Sequence, residues 1–109
     1  MVYATVDSIS KKSGKHYLEE ALMRVDAGNS DIFLTEHAAV MMQRREINDR
    51  ALEDVVYNYE DARESKKEPG VIELTSFEGG RKVEVVCVVE KYKETSKYRI
   101  KVITVHLQE

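Results

Sequence analysis

Residues 71–92 read VIELTSFEGGRKVEVVCVVEKY, and this stretch decides the fold. Val71 to Phe77 alternates between apolar and polar side chains, the period of a half-buried strand. Glu78-Gly79-Gly80 is a hairpin signal, because a two-residue turn needs residues that tolerate positive φ. Arg81 to Tyr92 is rich in valine and predicts a second strand. Beyond the polar turn Lys93 to Lys97, Tyr98 to Leu107 predicts a third. Strands joined this closely pair as antiparallel neighbours. Strict alternation along the third strand puts Ile100, Val102, Thr104 and His106 on one face. It puts Arg99, Lys101, Ile103, Val105 and Leu107 on the other.

Upstream of Gly70 the period changes. Tyr17, Leu18, Ala21, Leu22 and Val25 form one helical stripe between His16 and Ala27, ended by Gly28 and Asn29. Ile32-Phe33-Leu34 reads as a short apolar plug, and Val2 to Val6 as a short strand. Thr35 is a good N-cap for a helix over 36–45, with Glu36 at its positive end. Asn48 caps another over 49–59, with Leu52, Val55, Val56 and Tyr59 on one side. Asp61 to Gly70 is charged, ends in Pro69-Gly70 and reads as an exposed connection. Helices before strands make an α+β fold, with N-terminal helices packed on an antiparallel meander of three to four strands. The expected core holds Leu34, Val40, Leu52, Val55, Val56, Val85, Cys87, Val89 and Ile103.

The chain has 109 residues, 42% hydrophobic and 34% charged. That fits a single domain, with residues 1–30 as an extension carrying a helix and 31–109 as the α+β region. One cysteine, Cys87, excludes an internal disulfide. The absence of a membrane-length apolar run and of a signal-peptide core predicts a soluble cytoplasmic protein. The net charge of −3 argues against indiscriminate nucleic-acid binding. It is unevenly spread: residues 1–80 carry a net −6, and residues 81–109 a net +3. Lysine-rich sheet edges account for such a split, and so does a surface that meets phosphate. His16, His37 and His106 have no zinc-ligand spacing, and no phosphate-cradling glycine loop is present. No metal or cofactor is expected.

Thr35-Glu36-His37-Ala38-Ala39-Val40-Met41-Met42-Gln43-Arg44-Arg45-Glu46-Ile47 carries the chemical signal. Helical phase sets Arg44, seven residues on, almost over His37, with Arg45 about 80° round the helix. Imidazole can take a proton from a hydroxyl, and guanidinium can hold phosphate in a bidentate fork. The plain alternative is a packing histidine with two arginines solvating the helix end.

This segment resembles the opening motif of the domain-of-unknown-function 4258 (DUF4258) family. That pattern is Thr or Ser, His-Ala, a hydrophobic helix with Met, then Arg-Gly-Ile and a second helix. Thr35, His37, Ala38, Met42, Arg45 and Ile47 match, and Glu46 stands where the family has glycine. Val83 to Val89 and Val102-Ile103-Thr104-Val105 resemble the family's closing strands, so the likeness runs from Phe33 to Leu107. It implies the RelE- and BrnT-like fold of small toxins and barnase-like nucleases, which cut RNA without metal. Glu46 brings a negative charge beside Arg45, where a phosphate would approach.

Two functions follow from different classes. One is a metal-independent ribonuclease, the toxin of a toxin–antitoxin pair, with RNA and an antitoxin protein as partners. Its catalytic residues would be His37, Arg45 and Thr104, and Arg44, Arg81, Lys82, Lys101 and His106 would hold substrate. The other is a catalytically silent protein–protein or RNA interaction module on the same fold. For the second, Thr104 is an ordinary strand threonine, and Arg81 and Lys82 are hairpin-mouth charges.

Overall fold

The computed structural model describes residues 6–8, 15–95 and 97–108, with side chains from residue 18 onward. In chain order it contains β1 (Val6–Ser8), α1 (Lys15–Arg24), β2 (Ser30–Leu34), α2 (Glu36–Arg44) and α3 (Asp49–Tyr57). These are followed by β3 (Asp61–Glu64), β4 (Ile72–Glu78), β5 (Arg81–Tyr92) and β6 (Tyr98–Gln108). Of the strand expected over Val2 to Val6, only Val6 falls within the described residues.

Both expected helix caps form. The Thr35 hydroxyl accepts from Ala38 N at 3.1 Å, and Asn48 Oδ1 accepts from Ala51 N at 2.8 Å. Each oxygen satisfies a first-turn amide that has no partner within its helix. The apolar stripe of α3 (Leu52, Val55 and Val56) is buried. α2 lies on β6 and β2, and α3 on β4 and β5. Ala38, Met42 and Ile47 join Val83, Val85 and Val89 of β5 and Ile72, Leu74, Ile100, Val102 and Val105 in one core. The helices thus cover one face of the sheet. Cys87 is fully buried there, which pushes its thiol up to about 12.

The sheet corrects the expectation of a purely antiparallel meander. Six strands form one mixed sheet in the order β2-β6-β5-β4-β3, with β1 against the C-terminal end of β5. β4, β5 and β6 are antiparallel as expected, but β2 pairs parallel with β6. The apolar plug is therefore a strand. Ile32 and Leu34 turn toward the core, while Phe33 turns outward under the Arg99 guanidinium, 4.7 Å from its ring centroid. An apolar side chain facing out hides the alternation. The supposed connection after Asp61 begins as β3, paired with β4. Its charged residues are typical of an edge strand, where they deter pairing with a further chain.

A second correction concerns the faces of β6. Val85 pairs with Val105 and Val86 with Thr104, but Cys87 pairs with Val102, so Ile103 is an extra residue, a β-bulge. A bulge reverses the side-chain phase beyond it. Val105 and Leu107 accordingly join Ile100 and Val102 on the core side. Thr104 and His106 share the helix-free face with Arg99 and Lys101, which strict alternation had placed opposite them. Ile103, expected in the core, is only half-buried, as is Leu34, and Val40 is 40% exposed. No helix among the described residues is long and apolar enough to cross a membrane.

Candidate functional site

The bulge also anchors α2. Thr35 N donates to Val102 O at 3.2 Å, and the Thr35 hydroxyl donates to Ile103 O at 3.1 Å. The first turn of α2 is thereby fastened to β6 just before Thr104. His37, exposed in that turn, places Nε2 3.2 Å from Thr104 Oγ1. The direction of this hydrogen bond follows the imidazole tautomer.

The opposite end of α2 holds another group. Ile47 N donates to Met42 O at 2.9 Å and Glu46 N to Gln43 O at 3.3 Å. This crossed pair closes the helix and requires a left-handed residue between its arms, which is Glu46 at φ 55°. The Arg81 guanidinium donates to Arg45 O at 3.2 Å and Glu46 O at 3.4 Å, satisfying carbonyls at the helix end. Arg44 is exposed in the last turn. Eight residues at 1.5 Å per residue separate His37 from Arg45 by about 12 Å along the axis. The structure therefore brings His37 to Thr104, and Arg81 to the Arg45 carbonyl, but keeps the two groups apart.

The helix-free face holds a groove of about 510 Å³. Thr104 and His106 line it from β6, and Glu84 and Val86 from β5. Arg63 and the 65–68 loop close its other side. Ser65 N donates to Val71 O at 2.7 Å, and Ser65 Oγ accepts from Lys67 N and Glu68 N. These bonds fix Lys66 and Lys67 at the groove. Glu84 is only 8% exposed and sits opposite His106 in the strand register. Arg63 bridges it to Glu73, with N–O separations of 3.6 Å to Glu84 and 2.6 Å to Glu73. Lys82 and Lys101 lie on the same face, opposite Phe77 and Phe33 respectively.

Arg63, Lys66, Lys67 and Glu84 were not among the candidates read from sequence. Lys66 and Lys67 were hidden in a stretch read as a bare connection. Glu84 left a usable signal, a lone carboxylate inside a run of valines. A larger groove of about 830 Å³ lies between α3 and the end of β4, lined by Asp26, Glu53, Asp54 and Glu78 together with Arg50. Glu78 is held above the ordinary carboxyl range, first by its side-chain hydrogen bond with Asp54, then by desolvation and the Asp54 charge. Its acidic lining repels phosphate, so size does not identify it as an anion site. Among the described residues no three His, Cys, Asp or Glu side chains are grouped to hold a metal ion.

A family model described as Domain of unknown function (DUF4258) matches residues 34–106. It begins one residue before the Thr35 cap and ends at His106, so it spans both ends of α2 and every residue lining the groove. No curated protein and no solved structure matches the chain at a significant level.

Proposed function

The chain belongs to the DUF4258 family, and from that premise and the groove on its helix-free face we propose that it is a metal-independent endoribonuclease. The observation that carries this reading is that Thr104, which lines the groove with His106, is also hydrogen-bonded to His37. His37 is hydrogen-bonded to Thr104, and His106 follows two residues along the same strand face. RNA cleavage without metal needs a base for the ribose 2′-hydroxyl proton. It also needs an acid for the departing 5′-oxygen and positive charge for the phosphorane between them. His37 is assigned as base and His106 as acid, with Thr104 orienting the phosphate. Lys66 and Lys67 supply the charge, and Glu73 and Glu84 hold Arg63 in the groove wall. The sheet with helices on one face is compatible with a RelE-like nuclease fold. Such an enzyme acts in the cytoplasm, and its host needs a restraining partner, so an antitoxin covering this face completes the proposal.

One observation favours the silent interaction module instead. Arg81 spends its guanidinium on the end of α2, and Arg45 lies with it, away from His37. The two readings separate in one assay. Purified protein is incubated with single-stranded RNA in the presence of a chelator, beside His37→Ala and His106→Ala. Cleavage by wild type that both substitutions remove supports the enzyme. Intact RNA throughout a range of sequences and pH leaves the interaction module.

A further inference from the structure

Phe77 is a large apolar side chain that the core does not use. It is 59% exposed, although it lies inside β4. Strand register pairs it with Lys82, and Lys82 with Gln108, all on the helix-free face. The neighbouring row on that face is Thr75, Glu84 and His106. Phe77 is thus the diagonal neighbour of Glu84, about 7–8 Å from it between Cα atoms. Its ring stands one side-chain row beyond the proposed general acid.

Phe33, another exposed aromatic of this face, is covered by Arg99, which Glu90 holds at 3.2 Å. Phe77 has no ring contact among the described residues. It stands two residues before the hairpin turn, where Gly79 and Gly80 take the φ of 59° and 80° that a two-residue turn matched to strand twist requires. The surrounding charge selects the occupant. Lys82, directly opposite Phe77 in the strand register, forms no ion pair among the described residues, whereas Glu84, the diagonal neighbour, is paired with Arg63. An uncompensated lysine beside an isolated ring, on the face that carries His106, suits a polyanion with flat apolar groups.

We propose that Phe77 is a stacking platform for an unpaired base next to the scissile phosphate, and that Lys82 contacts the phosphate of that nucleotide. This inference rests on the ribonuclease reading and narrows its substrate to single-stranded RNA. In a duplex the base faces are stacked on one another and closed to a side chain.

The chain contains no tryptophan, so Phe77→Trp introduces a single indole reporter. The probe is a single-stranded 2′-O-methyl oligonucleotide, which binds but lacks the attacking hydroxyl. The same oligonucleotide with abasic sites, and its duplex, serve as comparisons. Indole emission is expected to be quenched saturably by the intact single strand and not by the abasic strand or the duplex. In anisotropy titrations Phe77→Ala should weaken binding roughly ten-fold or more, and Phe77→Tyr should retain it. Phe77→Leu should resemble Phe77→Ala, because it keeps apolar bulk but has no ring face. Equal binding of abasic and intact strands, or full affinity in Phe77→Leu, overturns the platform. If wild type cleaves RNA while Phe77→Ala binds it with unchanged affinity, the platform fails and the nuclease reading stands. If wild type binds no RNA, both fail. Thermal melting of each variant verifies folding, which an exposed ring should leave intact.

Discussion

His37 and Thr104 stand 67 positions apart in the chain, yet Nε2 and Oγ1 lie 3.2 Å from each other. The contact depends on two local devices. Thr35 fastens the start of α2 to the Val102 and Ile103 carbonyls, and the bulge at Ile103 turns Thr104 away from the core. Neither residue is buried, so the pair contributes little to stability and is free to act on a ligand.

Removing the imidazole should therefore separate chemistry from folding. His37→Ala is expected to reduce RNA cleavage by about 100-fold or more, the usual contribution of a positioned acid or base, with the melting temperature nearly unchanged. Thr104→Val, which keeps the side-chain shape and loses the hydroxyl, should lower the rate in the same direction. Cleavage at the wild-type rate in His37→Ala would remove it from the mechanism.

Glu46→Gly should stabilise the protein. A residue with a Cβ is strained at φ 55°, and glycine removes that cost while losing some backbone entropy on folding. The expected net gain is about 0.5–1 kcal/mol, seen as a higher urea midpoint at unchanged slope. A lower midpoint would mean that Glu46 makes a compensating interaction through its side chain.

Leu52 and Val40 provide a contrast between buried and exposed helix positions. Leu52 is 2% exposed, so Leu52→Ala should cost about 2–5 kcal/mol. Val40 is 40% exposed, and Val40→Ala should stay within about 0.5 kcal/mol. Chemical denaturation of the two variants checks the ordering, which reverses if α2 and α3 present other faces to the sheet.

Stability near Glu78 should fall as pH rises. Its hydrogen bond with Asp54, desolvation and the Asp54 charge raise its folded-state pKa, so the fold holds this proton more tightly than the unfolded chain does. The contribution is present in full below the ordinary carboxyl range and lost as pH climbs through the raised value. Glu78→Gln keeps a donor and cannot ionise. Its melting temperature should gain on wild type between about pH 4 and pH 7. A constant difference across that range would show that the two carboxyls share no proton.

Much of the fold was legible because its signals are local. Thr35 and Asn48 announce the helices they cap, Gly79-Gly80 the hairpin, and the valines of 83–89 the central strand. The missed strands have signals that point the wrong way. Phe33 is apolar but faces out beneath Arg99, and β3 has the composition of a loop because an edge strand benefits from charge. The candidate side chains could be named from the sequence, but not which of them stand together. His37, Thr104 and His106 could be chosen by residue type. That Arg81 turns to the Arg45 carbonyl, and that Ile103 reverses the face of Thr104, depends on long-range pairing that no spacing encodes.

The parallel pairing of β2 with β6 constrains the order in which the molecule assembles. β6 lies between β2 and β5, yet it is the last described strand in the chain. Until it inserts, β2 has no neighbour for its ladder and Thr35 has no carbonyl on which to seat α2. Contacts spanning so much of the sequence carry a large loop-closure cost before they are rewarded, which slows folding. Thr104 and His106 travel on that same strand. Without β6 the facing edges of β2 and β5 are both unpaired, and the groove lacks the wall that Thr104 and His106 form.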